Sequence, residues 1–236
     1  MSAIFKREFK SYFTTPIGYI VLAAFYFFLG IFFHTLFSYG SPAISEILST
    51  MSTIIFFILP IITMRTMSED RRQKVDQALL TAPVKLSSIV LGKFFAALAV
   101  FAIGLAPTII FEIIFAAYVN VNIFSYLYSL LGILLLGGAV IAIGMFISSM
   151  TESTVVSAIL TLSFNLAVLL LPSFASTLEN ETIVKIINSV SFINVFGSFS
   201  DTIFSVSDVI YFLSFIAAFL FLCVRSLEKS RWSYGG

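Results

Sequence analysis

Long apolar runs separated by short polar segments dominate the chain. No Asp, Glu, Lys or Arg occurs over residues 11–45 or 113–151. An α-helix needs about 20 apolar residues to cross roughly 30 Å of hydrocarbon. The pattern therefore predicts an all-α polytopic membrane protein, a single transmembrane domain over 1–236, with six spans at about 17–37, 47–66, 88–117, 125–149, 153–172 and 209–225.

Composition supports lipid as the main solvent of the chain. Of its 236 residues 59% are hydrophobic and 11% are charged, whereas about 25% of residues are charged in soluble domains. A net charge of +1 provides no basic field for nucleic acid. With one cysteine and one histidine, we expect no disulfide framework, no metal site and no catalytic centre.

The distribution of basic residues predicts the orientation. With six spans both termini share a side, and every Lys and Arg except Lys185 falls on that side. Basic residues favour the cytoplasm. We therefore expect a multi-pass protein of the cytoplasmic (inner) membrane with both termini cytoplasmic. The first apolar run is expected to be a retained span rather than a cleaved signal peptide.

The polar segment 64–85 contrasts with its apolar surroundings. It predicts a short amphipathic helix over 68–80, with Ser68 as N-cap, Glu69 and Asp70 in the first turn, and Pro83 beyond its end. Spacings of four residues favour the pairs Asp70–Lys74 and Arg72–Asp76. Two interpretations remain open: a charged loop that only sets topology, and a docking helix for a cytoplasmic partner.

Few polar residues interrupt the spans. Glu112 is either a functional acid inside span 3 or a residue at its outer interface. Asn165, in the middle of span 5, either binds a neighbouring helix or lines a pathway. Pro107 predicts a kink in span 3. Small residues of span 4 favour close helix packing, namely Gly138, Ala142, Gly144 and Ser148. The spacing of Ile183, Ile186, Ile187 and Val190 predicts one short interfacial helix.

Two stretches resemble a known family. The first is "IFKREFKSYFTTPIGYI", and the second, two spans later, is "MRTMSEDRRQKVDQALLTAPVKLSSIVLGKFF". Together they resemble the membrane subunit of ABC-2 type transporters, and "KREFKSYFTTPIGYI" is most similar to the gliding-motility-associated branch. The positions that match the family's motif are Arg65, Glu69, Arg71, Leu79, Leu80, Pro83, Val84, Gly92 and Lys93. Gln77 and Ala78 depart from it.

The resemblance implies roles for three segments. Residues 3–15 would form an interfacial elbow helix, with Phe5, Lys6, Arg7, Phe9 and Lys10 at the membrane surface. The helix 68–80 would be a coupling helix that contacts an ATPase through Arg65, Glu69, Asp70, Arg71, Arg72, Lys74, Asp76, Leu79, Leu80 and Pro83. Residues 173–208 would form short re-entrant helices on the outer side.

The resemblance also implies partners: a cytoplasmic ABC ATPase subunit, a second permease chain (identical or paralogous) and membrane lipids. The sequence contains no GxxxxGK[ST] phosphate loop. We therefore expect a permease that is not itself an enzyme, with ATP and Mg bound by the partner ATPase. An ion-coupled secondary transporter is the alternative. It is weaker, because the spans offer one acid at most and no visible internal repeat.

Overall fold

The computed structural model describes residues 1–39, 44–72, 85–118, 122–175, 181–200 and 205–233. Within these ranges the chain is all-helical. The helices are α1 (Ser2–Thr14), α2 (Pro16–Tyr39), α3 (Ile44–Thr63), α4 (Ser68–Arg72), α5 (Leu86–Leu105), α6 (Pro107–Ala116), α7 (Ile123–Met150), α8 (Thr154–Ala175), α9 (Glu181–Val190), α10 (Phe192–Ser200) and α11 (Val206–Ser233).

Six stretches of the described chain are long and apolar enough to cross a membrane, which confirms the predicted number. They are Pro16–Tyr39, Ser45–Arg72, Leu86–Ala116, Ile123–Met150, Thr154–Phe174 and Val206–Lys229. The chain is thus a multi-pass membrane protein. The spans are numbered 1 to 6 in this order below, except that span 2 refers to α3 alone and α4, at the end of its range, is named separately.

Span 3 consists of two helices, α5 and α6, which meet at Ala106. Pro107 is the first residue of α6. Proline has no N–H and clashes with the preceding turn, so it interrupts a helix interior and suits a first turn. The Thr108 hydroxyl donates to the Leu105 carbonyl at 2.7 Å. The expected irregularity at Pro107 is confirmed.

The helix α7 lies at the centre of the bundle and packs against α3, α5, α8, α10 and α11. Glycines on several sides of α7 permit this packing. A Cβ at Gly137 would lie 2.1 Å from a ring atom of Phe101, and one at Gly144 would lie 2.2 Å from Thr63 Oγ1. Because real Cβ atoms do not approach so closely, the predicted small-residue contacts of span 4 are confirmed at Gly144.

A polar bond joins spans 2 and 5. Pro60 lies inside α3 and has no N–H to donate to the Phe56 carbonyl four residues earlier. The Asn165 amide of α8 donates to this carbonyl at 3.1 Å. Asn165 is buried, as are Thr161 one turn earlier and Ser157 two turns earlier. The structure thus places Asn165 in a helix–helix contact.

Replacing Asn165 by Leu is expected to lower the free energy of unfolding by about 1 kcal/mol, the scale of interhelical hydrogen bonds in membranes. The Phe56 carbonyl would then be left without a donor. Thermal unfolding of the purified chain in detergent measures the effect. Ser163→Leu, at an exposed position of the same helix, is the control. Equal stability of the Asn165→Leu variant and the parent would contradict this role.

Between spans 5 and 6 the described chain contains two short helices, α9 and α10. The first covers the residues whose spacing predicted a helix, and the resemblance implied more than one short helix in this segment. A bend at Ser191 separates them, and the Ser191 hydroxyl accepts the Asn194 N–H. Phe192, Phe196 and Phe199 of α10 are buried, and α10 packs on α7 and α3. The second part of this segment therefore belongs to the packed bundle.

Candidate functional site: a charge cluster between α1, α4 and α5

A lysine lies buried where α5 begins. The side chain of Lys93 is 1% exposed. Its Nζ lies 2.7 Å from Asp70 Oδ2 of α4 and 3.4 Å from Glu8 Oε2 of α1. It also donates to the Thr66 carbonyl at 2.5 Å. A buried ammonium requires such partners, because desolvation of an unpaired charge costs several kcal/mol. Lys93 therefore joins three segments of the chain.

Two arginines complete the cluster. Arg7 Nη2 lies 2.6 Å from Glu8 Oε1 and 3.9 Å from Asp70 Oδ2. Arg65 binds Glu69 through two parallel contacts, with Nε–Oε2 at 2.5 Å and Nη2–Oε1 at 2.7 Å. We call this set the α1–α4 charge cluster: Arg7, Glu8, Arg65, Glu69, Asp70 and Lys93.

The six charges of the cluster surround a cavity of about 360 Å³, which is also lined by Ser11, Tyr12, Thr15, Ile17 and Thr66. Three of the charged groups are basic and three are acidic, so their formal charges cancel. Within the pairs named above, each basic group contacts a carboxylate. The cluster is thus an internally neutralised connection between helices.

Close packing holds α1 against α5 beside the α1–α4 charge cluster. A Cβ at Gly92 would lie 2.9 Å from Ile4 Cγ2, so the glycine before Lys93 permits α1 to lie on α5. The Tyr12 hydroxyl donates to the Ile62 carbonyl at 3.3 Å. Burial, reinforced by the charge of Glu8, raises the pKa of Tyr12. The hydroxyl therefore remains a donor.

Glu8 also changes the pKa of Arg7. Partial burial by itself lowers the pKa of Arg7, but the hydrogen bond and charge of Glu8, together with the charge of Asp70, raise it overall. The guanidinium therefore stays protonated across the physiological range.

The connection between α3 and α4 is held by span 4. Ser148 Oγ accepts the N–H groups of Met67 at 3.2 Å and Ser68 at 3.0 Å, and it donates to the Met64 carbonyl at 3.1 Å. The Ser68 hydroxyl donates backwards to the same carbonyl. The predicted N-cap role of Ser68 is therefore wrong: a serine of another helix binds the free N–H groups instead.

The structure brings together only part of the predicted coupling set. Arg65, Glu69 and Asp70 lie in the α1–α4 charge cluster, Arg71 is half-buried and Arg72 is exposed. The rest of the predicted helix 68–80 lies outside the described residues. So do the remaining members of the coupling set: Lys74, Asp76, Leu79, Leu80 and Pro83. Their roles stay predictions.

The predicted membrane face of α1 packs largely on protein. Phe5 and Phe9 are half-buried and their rings stack, and both pack against the hydrophobic core. Lys6 and Lys10 are exposed, whereas Arg7 points to Glu8 and Asp70. The helix is thus attached to span 3 by its apolar side, with two lysines left for solvent or headgroups.

Glu112 lies far from this cluster, on the buried side of α6. One turn earlier, Thr108 Oγ1 lies 3.1 Å from the Tyr126 hydroxyl of α7. Glu112 is 6% exposed, so its neighbours cover most of it. Its function stays a prediction.

Sequence reasoning did not identify the contacts that three residues make at this site. Glu8 was hidden within a basic stretch, and Ser148 was interpreted only as a small packing residue. Lys93 was recognised as a motif position without a partner. A signal was present, since Lys93 follows the first turn of a long apolar helix, where a charge requires a counter-charge. Its partners, 85 and 23 residues away, could not be identified from spacing.

Comparison with known proteins agrees with the earlier resemblance. Residues 1–180 match the family model of the ABC-2 type transporter. This range contains α1 to α8 and the whole α1–α4 charge cluster. None of the curated proteins matches the chain significantly.

Proposed function

Because the chain belongs to the ABC-2 type transporter family, we propose that it is the transmembrane permease subunit of an ATP-driven ABC transporter. Membership implies partnership with an ABC ATPase subunit. In this proposal the ATPase is a separate cytoplasmic chain that binds ATP and Mg. Hydrolysis there drives export or movement of a substrate across the cytoplasmic membrane, and this chain contributes no catalytic residue.

The α1–α4 charge cluster is the observation that supports coupling through α4. Asp70 of α4 is tied to Lys93 of span 3 and lies near Arg7 of α1. A displacement of α4 would therefore act on span 3 and α1 as well as on span 2. A loop that only fixes topology needs basic residues, and it does not need acids paired with a buried lysine in another span.

The exposed positions at α4 suit a docking partner. Arg72 is exposed and Arg71 partly so, while the acids of α4 face inward to the cluster. In the proposed arrangement both termini and α4 lie in the cytoplasm, with α1 at the inner headgroups, where Lys6 and Lys10 meet anionic lipids. A second permease chain, identical or paralogous, completes the pathway. The gliding-motility branch stays a resemblance of the N-terminal stretch.

Charge reversal at Arg71 and Arg72 is expected to release the ATPase. With both residues changed to Glu, or with Leu79→Asp, we expect at least about tenfold less ATPase to co-purify with the tagged chain, because interface hot spots contribute 2 kcal/mol or more. Purification from native membranes in mild detergent, with mass spectrometry and an ATP-hydrolysis assay, measures this.

The matched control is reversal at Arg225 and Lys229, exposed residues of α11 on the predicted cytoplasmic side. It changes the net charge equally but leaves α4 intact, and it should retain the ATPase. Parent levels of ATPase in both the Arg71/Arg72 and the Leu79→Asp variants would contradict the docking assignment. A purified chain that transports without any ATPase would overturn the proposed function itself.

A further inference from the structure

The stretch between α3 and α4 departs from a continuous helix. In an unbroken helix the N–H groups of Met67 and Ser68 would donate to the carbonyls four residues earlier, those of Thr63 and Met64. In the structure both N–H groups donate to Ser148 Oγ instead. The break leaves two backbone N–H groups without their helical acceptors, and a side chain of span 4 binds both. The break is therefore a defined structure and not a frayed helix end.

Other hydrogen bonds also bind the backbone groups at the break between α3 and α4. The Thr66 N–H and hydroxyl donate to the Thr63 carbonyl at 3.2 and 2.7 Å. The Thr66 carbonyl accepts from Lys93. Buried backbone groups require partners, and here they receive them from spans 3 and 4. The direction in which α4 leaves span 2 thus depends on side chains outside span 2.

Span 4 is well placed to set this direction. One turn before Ser148, Gly144 lets α7 contact Thr63, the last residue of α3. Ser148 is fully buried, so water does not compete for its three bonds. Because α7 is packed on five other helices, it provides a rigid reference for the connection.

We propose that Ser148 is a positioning residue that sets the direction of α4 and ties it to span 4. The mechanical consequence rests on the proposed function: movement of α4 by the ATPase would be passed through Ser148 to the central helix of the bundle. The geometric part stands independently of that, because it concerns only this chain.

The test is a distance between spin labels at Arg72→Cys in α4 and Arg225→Cys in α11, both exposed in the parent. The buried Cys223 is changed to Ala in all samples, and labelled chains are diluted with unlabelled protein. Ser148→Ala is expected to shift the main distance by on the order of 5 Å, one helical turn, or to split it into two, because α3 and α4 can then join.

Threonine and valine have side chains of the same shape, so comparing them at position 148 separates the effect of the hydroxyl group from the effect of the added volume. Ser148→Thr should keep the parent distance, and Ser148→Val should shift it as Ala does. Ser149→Ala is the matched control. Ser149 is equally buried, but its hydroxyl donates to Phe146 of its own helix, so its loss should leave the distance unchanged.

An unchanged distance in the Ala and Val variants would overturn the proposal, as would equal shifts in the Thr and Val variants. The same shift in Ser149→Ala would show a general loosening and would also overturn it. The measurement needs neither ATPase nor substrate. Failure of the proposed function would therefore leave this result standing, and the reverse also holds.

Discussion

Replacing Lys93 by Met is expected to lower the free energy of unfolding by about 3–5 kcal/mol, the cost of removing one partner from a buried ion pair. Met has a similar length, so the cavity changes little. The loss arises because Glu8 and Asp70 keep their charges without the ammonium that lies 3.4 and 2.7 Å away. Chemical or thermal unfolding of the purified chain in detergent measures it.

The control is Lys85→Met, at an exposed position just before the same helix, where little change is expected. Adding Glu8→Gln and Asp70→Asn to Lys93→Met should recover part of the stability, because the two carboxylates that lost the ammonium as a partner are then neutral. If these two substitutions destabilised the Lys93→Met variant as much as they destabilise the parent, Lys93 would not be coupled to Glu8 and Asp70, which would contradict this prediction.

Replacing Gly92 by Leu is expected to lift α1 from span 3. The new Cβ would lie 2.9 Å from Ile4 Cγ2 and 3.4 Å from the Phe5 nitrogen, and the rest of the side chain needs space that α1 occupies. Overpacking costs typically about 1–3 kcal/mol. Amide hydrogen exchange of residues 2–14 should therefore accelerate about tenfold or more, since 1.4 kcal/mol corresponds to a factor of ten.

Gly30→Leu provides the matched control for this experiment. Nothing lies within 4 Å of a Cβ at Gly30, so the same glycine-to-leucine change adds no clash there. Exchange in α1 should then equal that of the parent. Parent-like exchange in the Gly92→Leu variant would show that α1 does not depend on this contact.

Much of the fold was predictable from the apolar runs. The six spans follow from the length of hydrocarbon that a helix must cross, which is a local property of the sequence. Pro107 marked the break in span 3 for the same local reason. The packing of α10 on α7 and α3 was not predicted, because contacts between helices that are distant in the sequence are not visible in residue spacing.

Only individual residues of the site were predictable from the sequence. Arg65, Glu69, Gly92 and Lys93 stood out as motif positions by resemblance. Which charges meet between helices could not be predicted. Spacing favoured a pair of Asp70 with Lys74, which lies outside the described residues, whereas the structure shows Asp70 Oδ2 at 2.7 Å from Lys93 Nζ. A pairing within one helix is visible in spacing, and a pairing between helices is not.

The sequence by itself determined that this is an all-helical membrane protein of the ABC-2 type, because apolar length and a few family motifs are local features. Tertiary structure alone decided how the polar segment after span 2 is held. A buried lysine needs acids, and a broken helix needs hydrogen-bond partners. Glu8 of α1 and Ser148 of span 4 satisfy these needs from positions 85 and 80 residues away in the chain.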